Sequence, residues 1–413
     1  MYTSQHFLLY THADHTNTRK NNIMSQQIPF FSLERQTAKL SSTIIPELQK
    51  IIQKNAFIGG DAVQTFENQL AGYLSAKHVI SCASGTDALW MALRALDCKP
   101  NTIILTTPFS FISSASEISA NEAHPLFIDI EKNTYNIDPV KLSSWLKQNA
   151  HMKDGTTYEN KTNLPIKGMV VVNIFGQCAD FSEIKKITSE WNLWLIEDAC
   201  QAIGSHIDNK MAGTFGDISC FSFYPTKNLG AWGDGGAIST NNDKLADTLR
   251  KLRNHGRASH YEYEFYGRNS RFDAMQAVVL QEKLKVLDKL NNRRREIAEI
   301  YNQQLQSNPY ITCPQEVTGH SVYHQYCVTV TDKNGNSVRD ALKAHLEAHK
   351  IGSVIFYPKG LNNIPFINTH TELTSETPIS DNIIGSMLAL PIWPELTNDE
   401  VLTICKAIES FKP

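Results

Sequence analysis

The chain has 413 residues, 41% hydrophobic and 20% charged, which supplies core for two or three domains of roughly 100–200 residues and shows no sign of wholesale disorder. Its 39 Lys+Arg against 42 Asp+Glu give a net charge of −3, without the basic excess that neutralising nucleic-acid phosphates demands. No apolar run approaches the ~18–20 residues that span a bilayer, so neither nucleic acid nor membrane is an expected partner.

Residues 1–23 are polar, and their one apolar run, at 7–10, is shorter than the ~7–15 residues of a signal-peptide core. They are expected to be a disordered tail ahead of Met24. From Ile28 onward apolar runs alternate with amphipathic stretches, the pattern of an α/β fold. SSTIIPELQKIIQKN (41–55) reads as a helix capped by its Ser and Thr, with Ile45, Leu48, Ile51 and Ile52 on its apolar side. HVISCAS (78–84) is a strand and TDALWMALRAL (86–96) a helix. The runs at 101–108, 124–130, 167–176, 193–199 and 216–224 follow as strands, nearly continuous in apolar character, as strands covered on both faces are. Helices at 111–121, 138–148 and 180–191 lie between them, and the polar stretch 151–165 reads as a surface loop. A mostly parallel sheet with crossover helices is the economical architecture. Beyond it, 271–306 reads as two helices or one kinked helix, 320–332 as a half-exposed strand, 340–350 as a helix and 351–358 as a strand. The division expected is a large domain over 24–272 and a small α+β domain over 273–413.

Eight cysteines are scattered without a CxxC pair, and several sit in apolar runs, where free Cys acts as a small hydrophobe. That usage suits a reducing cytoplasm. His320 and His324 stand four apart in a strand pattern and share no helical face, so no metal site is expected. Arg293, Arg294 and Arg295 read as a solvated helix face.

Four local features bear on chemistry. Ser84-Gly85-Thr86-Asp87 follows a strand and opens a helix, where free N–H groups and the helix dipole suit an anion; simple N-capping explains the same residues. Glu197 and Asp198 close an apolar strand, at the end where ligands gather in open α/β sheets; a solvated loop acid is the bland alternative. Lys227 enters a glycine-rich turn just after a buried-type strand, beside Phe223 and Tyr224. An amine so placed has its pKa depressed and becomes nucleophilic, although most loop lysines are simply exposed. Phe109 and Phe111 lie just beyond another strand end, where an aromatic either stacks on a planar ring or packs in the core. Together these supply a phosphate cradle, an acid, a lysine and an aromatic plate on one sheet edge. Pyridoxal 5'-phosphate needs that set.

The segments SGTDALWMALRAL, FIDIEKNTYNIDP, IFGQCADF, IEDACQAIGS, SFYPTKNLGAWGDGGAI, RNHG and NSRFDAMQAVVL, in this order, make the chain similar to the DegT/DnrJ/EryC1/StrS family of nucleotide-sugar aminotransferases. The resemblance spans roughly residues 28–413 and is densest from about 80 to 285. It implies the fold-type I architecture of pyridoxal-phosphate transferases and a homodimer with active sites shared between subunits. It also implies Lys227 as the Schiff-base lysine, Asp198 as partner of the pyridine nitrogen and Gln201 near the ring hydroxyl. Gly85, Thr86 and Ser222 would hold the phosphate, Phe111 would stack on the ring, and Asn269 would reach the partner's cofactor. Arg271 and Tyr357 are the implied sugar-binding residues.

The GTDAL and NSR-hydrophobic-D variants resemble enzymes that aminate C3, and GQCADF is shared with 3-keto-glucuronate aminotransferases of the UDP-N-acetylhexosamine pathway. Those relatives carry His-Tyr-Pro where this chain has Phe356-Tyr357-Pro358. The expected substrate is therefore a UDP-linked 3-keto-N-acetylhexuronate, with L-glutamate as donor, for surface-polysaccharide sugars. A dTDP-linked 3- or 4-keto-6-deoxy sugar is the alternative substrate. A different reaction on the same scaffold and a non-catalytic regulator are the other readings. Lys227 speaks against the family's sugar dehydratases, which carry His there.

Overall fold

The computed structural model describes residues 27–367, 373 and 375–413; the expected tail over 1–23 lies outside them. Helices α1 (Glu34–Lys54) and α2 (Gly60–Leu74) precede strand β1 (His78–Cys82), followed by α3 (Gly85–Ala95), β2 (Ile103–Thr106), α4 (Ser113–Ala120) and β3 (His124–Phe127). After α5 (Pro139–Asn149) come β4 (Ala150–Lys153), β5 (Thr156–Glu159), β6 (Pro165–Val172), α6 (Phe181–Glu190) and β7 (Trp194–Asp198). A short hairpin of β8 (His206–Ile207) and β9 (Lys210–Met211) leads to β10 (Ile218–Ser222), β11 (Gly236–Thr240) and α7 (Asp243–Leu252).

The main sheet runs β1-β11-β10-β7-β6-β2-β3, with β4 and β5 attached beside the start of β6. β10, β7, β6, β2 and β3 are mutually parallel, and β11 is antiparallel to both β10 and β1. Six of these strands therefore point the same way, and their C-terminal ends share one edge. The two-residue alternation of each strand feeds two cores. Ile80, Ile104, Val170, Ile196, Ile218 and Ile238 pack under α3 and α7. On the opposite face Leu105, Met169, Val171 and Leu195 meet α5 and α6, while Val79, Phe221 and Ala237 meet α1, α2 and the following helix.

That helix is α8 (Ala274–Leu284), and α9 (Leu287–Leu305) follows after two residues, so 271–306 forms two helices. The remaining elements are β12 (Ile311–Thr312), β13 (Tyr326–Val330), α10 (Arg339–Ala348), α11 (Pro378–Ser386), β14 (Met387–Leu390) and α12 (Asn398–Glu409). β12, β13 and β14 form an antiparallel sheet packed by α9, α10 and α12 around Trp393, and Ile28 from the start of the described chain joins this core. No helix among the described residues is long and apolar enough to cross a membrane.

Several sequence expectations are corrected. The first helix begins at Glu34, not Ser41. Its Ser41 and Thr43 hydroxyls donate back to the carbonyls of Ala38 and Leu40, which satisfies them mid-helix instead of at a cap. Ile44 and Ile51 are its buried residues, while Ile45 and Ile52 are exposed. The supposed loop 151–165 contains the β4–β5 hairpin, turned at Asp154-Gly155 with both residues at positive φ, the signature of an Asp-Gly turn. The 320–332 segment is a strand only from Tyr326 and is buried on both faces except at Thr329. The 351–358 run makes only single bridges, at Ile351 and Val354, and no strand.

Candidate functional site

Register brings the site together. Cys82 and Ser222 both pair with Gly236, Cys220 pairs with Asp198, and Asp198 pairs with Val172. The ends of β1, β10, β7 and β6 are thus neighbours. α3 opens at this edge, with Ser84 as N-cap accepting from Asp87 N at 3.1 Å. Among the described residues the amides of Gly85 and Thr86 donate to nothing, which leaves two helix N–H groups for an anion. A side chain at Gly85 would fall 2.7 Å from Ser222 Cβ and 3.1 Å from Cys200 Sγ, and one at Gly236 would fall 2.3 Å from the Ser84 carbonyl. Only glycine lets these backbones close into a cradle with Ser222. The Thr86 hydroxyl lies 2.8 Å from that of Ser113.

Consecutive residues of a strand face opposite ways, and this separates the two acids that end β7. Glu197 shares the face of Leu195, is fully buried, and accepts from Asn173 Nδ2, the amides of Gly213 and Phe215, and Ser219 Oγ. Burial pushes its carboxyl up despite those four donors. Its role is to hold the 213–215 turn. Asp198 shares the face of Ile196, beneath α3, and accepts from Ser114 Oγ at 2.9 Å and from Cys200 N at 3.2 Å. Of the two acids, Asp198 is the one on the face toward α3.

Lys227 follows β10, its amide donating to the Tyr224 carbonyl at 2.8 Å. Among the described residues its amine makes no hydrogen bond or ion pair. Desolvation pushes that amine below its ordinary value, opposed by Cys200 and Asp198. The Cys200 thiol is itself pushed up by burial and by Asp198, so it is no thiolate nucleophile.

Gln201 accepts from Phe175 N at 2.8 Å and donates to Tyr357 Oη at 3.2 Å. It thereby joins the β7 end to the 356–358 segment. Phe109 is buried among Phe175 and Tyr357 and is a core residue, whereas Phe111 is 54% exposed. Asn269 and Arg271 are exposed, and Arg271 donates to Asn254 Oδ1 at 3.2 Å. Among the described residues neither makes a hydrogen bond or ion pair with Lys227 or Asp198.

Sequence reading missed an inner ring of polar residues. Ser114 orients Asp198. His324, buried, lies 3.0 Å through Nδ1 from Asn228 Oδ1, and Asn228 donates to Asn291 Oδ1 and the Val322 carbonyl. Because Asn228 Oδ1 only accepts, His324 Nδ1 carries the proton. Burial and the charges of Lys227 and Arg294 push this imidazole far down and keep it neutral. The arginines of α9 are a correction: Arg294 is buried and donates to the carbonyls of Tyr323, His324 and Ile392, and burial pushes it down to about 10. Arg293 and Arg295 also bind carbonyls, of Leu396 and Ser321. Arg294 thus ties the helix to the C-terminal region from inside, while Arg293 and Arg295 flank it half-exposed. No group of three or more metal-ligating side chains occurs among the described residues, and His320 instead stacks on His206 at 4.6 Å.

The profile of the DegT/DnrJ/EryC1/StrS aminotransferase family matches residues 38–409. A dTDP-3-amino-3,6-dideoxy-alpha-D-galactopyranose transaminase of Aneurinibacillus thermoaerophilus is 36% identical, over 93% of this chain and 99% of its own. A UDP-2-acetamido-2-deoxy-3-oxo-D-glucuronate aminotransferase of Pseudomonas aeruginosa is 32% identical, over 92% and 99%. The NtdA structure from Bacillus subtilis with bound cofactor PMP superposes with a TM-score of 0.82 at 26% identity, covering 94% of this chain and 86% of that one.

Proposed function

The chain belongs to the DegT/DnrJ/EryC1/StrS aminotransferase family, with the fold-type I architecture and pyridoxal phosphate as cofactor, and from that premise we propose the reaction and the residues that perform it. The substrate is a UDP-linked 3-keto-N-acetylhexuronate, aminated at C3 with L-glutamate as donor, in the cytoplasm, for surface-polysaccharide sugars. The observation that carries the site assignment is the half-buried Lys227, whose amine makes no hydrogen bond or ion pair among the described residues, in the turn after β10, whose end Ser222 meets the opening of α3 at Gly85.

The residues present fit the cofactor. The free amides of Gly85 and Thr86, with the hydroxyls of Thr86 and Ser222, would hold its phosphate; Asp198 would hold its ring nitrogen, Gln201 its ring hydroxyl, and Phe111 its open face. When bound, pyridoxal phosphate supplies an electron sink for the carbon that loses its proton. Lys227 Nζ would anchor the cofactor and then move that proton, a role that suits an amine pushed below its ordinary value by desolvation. Ser114 and Cys200 N fix the Asp198 carboxylate so that its charge stays aimed at one place. Tyr357, held by Gln201, and Arg271 bind the sugar, and Asn269 completes the cofactor site, the last two from a second subunit. Exposed Ile45, Ile52, Phe57 and Ile58 support a homodimer, because Ile58 bridges to Asp273, close to Arg271, in a patch that one chain leaves uncovered.

Arg271 offers the planar fork that a uronate carboxylate matches. A dTDP-linked 3-keto-6-deoxy sugar is a second reading, favoured by Phe356. It packs on Phe30 at 6.0 Å and Tyr357 at 5.5 Å and presents an apolar wall. Lys227→Ala tests the central assignment. The variant is expected to bind cofactor without covalent attachment and to lose turnover, and borohydride is expected to fix the cofactor's mass on the Lys227 peptide of the wild type. Attachment at another lysine overturns it.

A further inference from the structure

We propose that Asp87 is a positioning residue that clamps the 268–271 turn to the mouth of α3, so that each chain's own anion cradle sets the reach of the two residues it lends to its partner. The proposal rests on the shared-site reading above. Its own ground is a chain of contacts around one buried hydroxyl.

Ser270 is fully buried, between exposed Asn269 and Arg271. Its hydroxyl donates to Asp87 Oδ2 at 2.8 Å and accepts from Ala83 N at 3.2 Å. The other carboxylate oxygen of Asp87 meets Arg268 Nη1 at 3.4 Å, and that guanidinium lies 4.0 Å over the Trp90 ring of α3. Ser270 N donates to the Arg253 carbonyl at 2.9 Å. Arg253 in turn binds Glu67 Oε1 at 2.6 Å and the Ser81 carbonyl at 2.9 Å. The turn is thus held at both ends to β1 and to the first turn of α3. Asp87 also takes the Ser84 cap through its amide, so one residue belongs to both structures. An N-cap needs none of this. Asp87 sits at the third position of the helix, where its side chain is free to face water, yet it is turned onto a segment 183 positions away.

The geometry predicts an asymmetry that a merely stabilising contact lacks. In a mixed dimer with one Lys227→Ala chain, the single complete site has Lys227 from one subunit and Asn269 and Arg271 from the other. Ser270→Ala is placed on either chain of such differently tagged dimers, with the UDP-linked 3-keto-N-acetylhexuronate and glutamate as probes. On the Lys227→Ala chain it is expected to raise the sugar KM about fivefold or more while kcat stays within about twofold; on the Lys227-bearing chain the sugar KM should move less than about twofold. Amide exchange of Ala83 and of residues 268–271 should quicken together, about tenfold, in the same variant. Asp87→Asn, which keeps the shape and drops the charge facing Arg268, should give the same asymmetry in weaker form and serves if Ser270→Ala folds poorly. Equal effects from both placements, or none, overturn the clamp while leaving shared sites standing. If Lys227→Ala and Arg271→Ala chains fail to complement when mixed, the shared-site reading falls and the clamp with it.

Discussion

Two adjacent carboxylates end β7, and their fates differ because a strand turns successive side chains to opposite faces. Glu197 meets four donors in the core, while Asp198 meets Ser114 and Cys200 N at the site. A charge fixed where charge develops acts on the chemical step more than on binding. Asp198→Asn keeps the shape and removes the charge, so kcat is expected to fall about 100-fold or more while cofactor affinity falls less than about tenfold, measured by single-turnover rates and cofactor titration. Equal rates in both proteins would contradict the role. Phe356 supplies the test of the proposed sugar. A missing hydrogen bond to a buried charge costs about 1.5–3 kcal/mol. Phe356→His should therefore hold or raise kcat/KM on the hexuronate and lower it about tenfold on a 6-deoxy sugar. A wild type that strongly prefers the 6-deoxy sugar rejects the hexuronate. At this scale the residues with distinctive local sequence were legible: Gly85 at a helix start, Asp198 at a strand end, Lys227 before glycines. Ser114, Asn228 and His324 were not, because each is an ordinary polar residue whose meaning comes from partners 84, 63 and 96 positions away.

Elements of the large sheet were legible because buried parallel strands write themselves as apolar runs between amphipathic helices. Hairpin β4–β5 carried its Asp-Gly signal, hidden by a polar surround, whereas the start of α1 was masked by Ser and Thr that bond back within the helix. The α9 arginines misled for a different reason. A run of three cations reads as solvated, yet 3.6 residues per turn send Arg294 inward while its neighbours flank it. Arg294 satisfies three carbonyls that no other donor replaces. Arg294→Met spares the cost of burying a charge but leaves those carbonyls bare, at about 1–3 kcal/mol each before that offset. A net loss of about 2–4 kcal/mol in urea unfolding is expected, against less than about 1 kcal/mol for the more exposed Arg293→Met. Similar losses for both would return the helix to a solvated face.

At the scale of the whole molecule, an apolar stripe is exposed beside the segment that carries Arg271. Ile45 and Ile52 lie seven apart on α1 and so share a stripe, exposed at 47% and 52%, and the chain carries the stripe on to Phe57 and Ile58 at 44% and 54%. The Phe57 carbonyl accepts from Ala274 N, and Ile58 bridges to Asp273, so the apolar stripe ends beside the segment that holds Asn269 and Arg271. Of the apolar positions expected on the helix's core side, Ile51 is buried as expected, whereas Ile45 and Ile52 are exposed and Ile44 takes the core position instead. A second copy that covers the stripe would bring each Arg271 toward its partner's site, which couples assembly to activity. Ile52→Asp combined with Ile58→Asp puts two charges into that contact and leaves the core of each chain untouched. Central interface residues cost about 2 kcal/mol or more when lost, so the dimer's Kd should rise roughly 30-fold or more per substitution. Sedimentation velocity is expected to show monomers at micromolar concentration, with unchanged far-UV circular dichroism and a loss of turnover that higher protein concentration partly restores. Fully active monomers would mean that each chain completes its own site, and Arg271 would then have to be replaced as the sugar's cation.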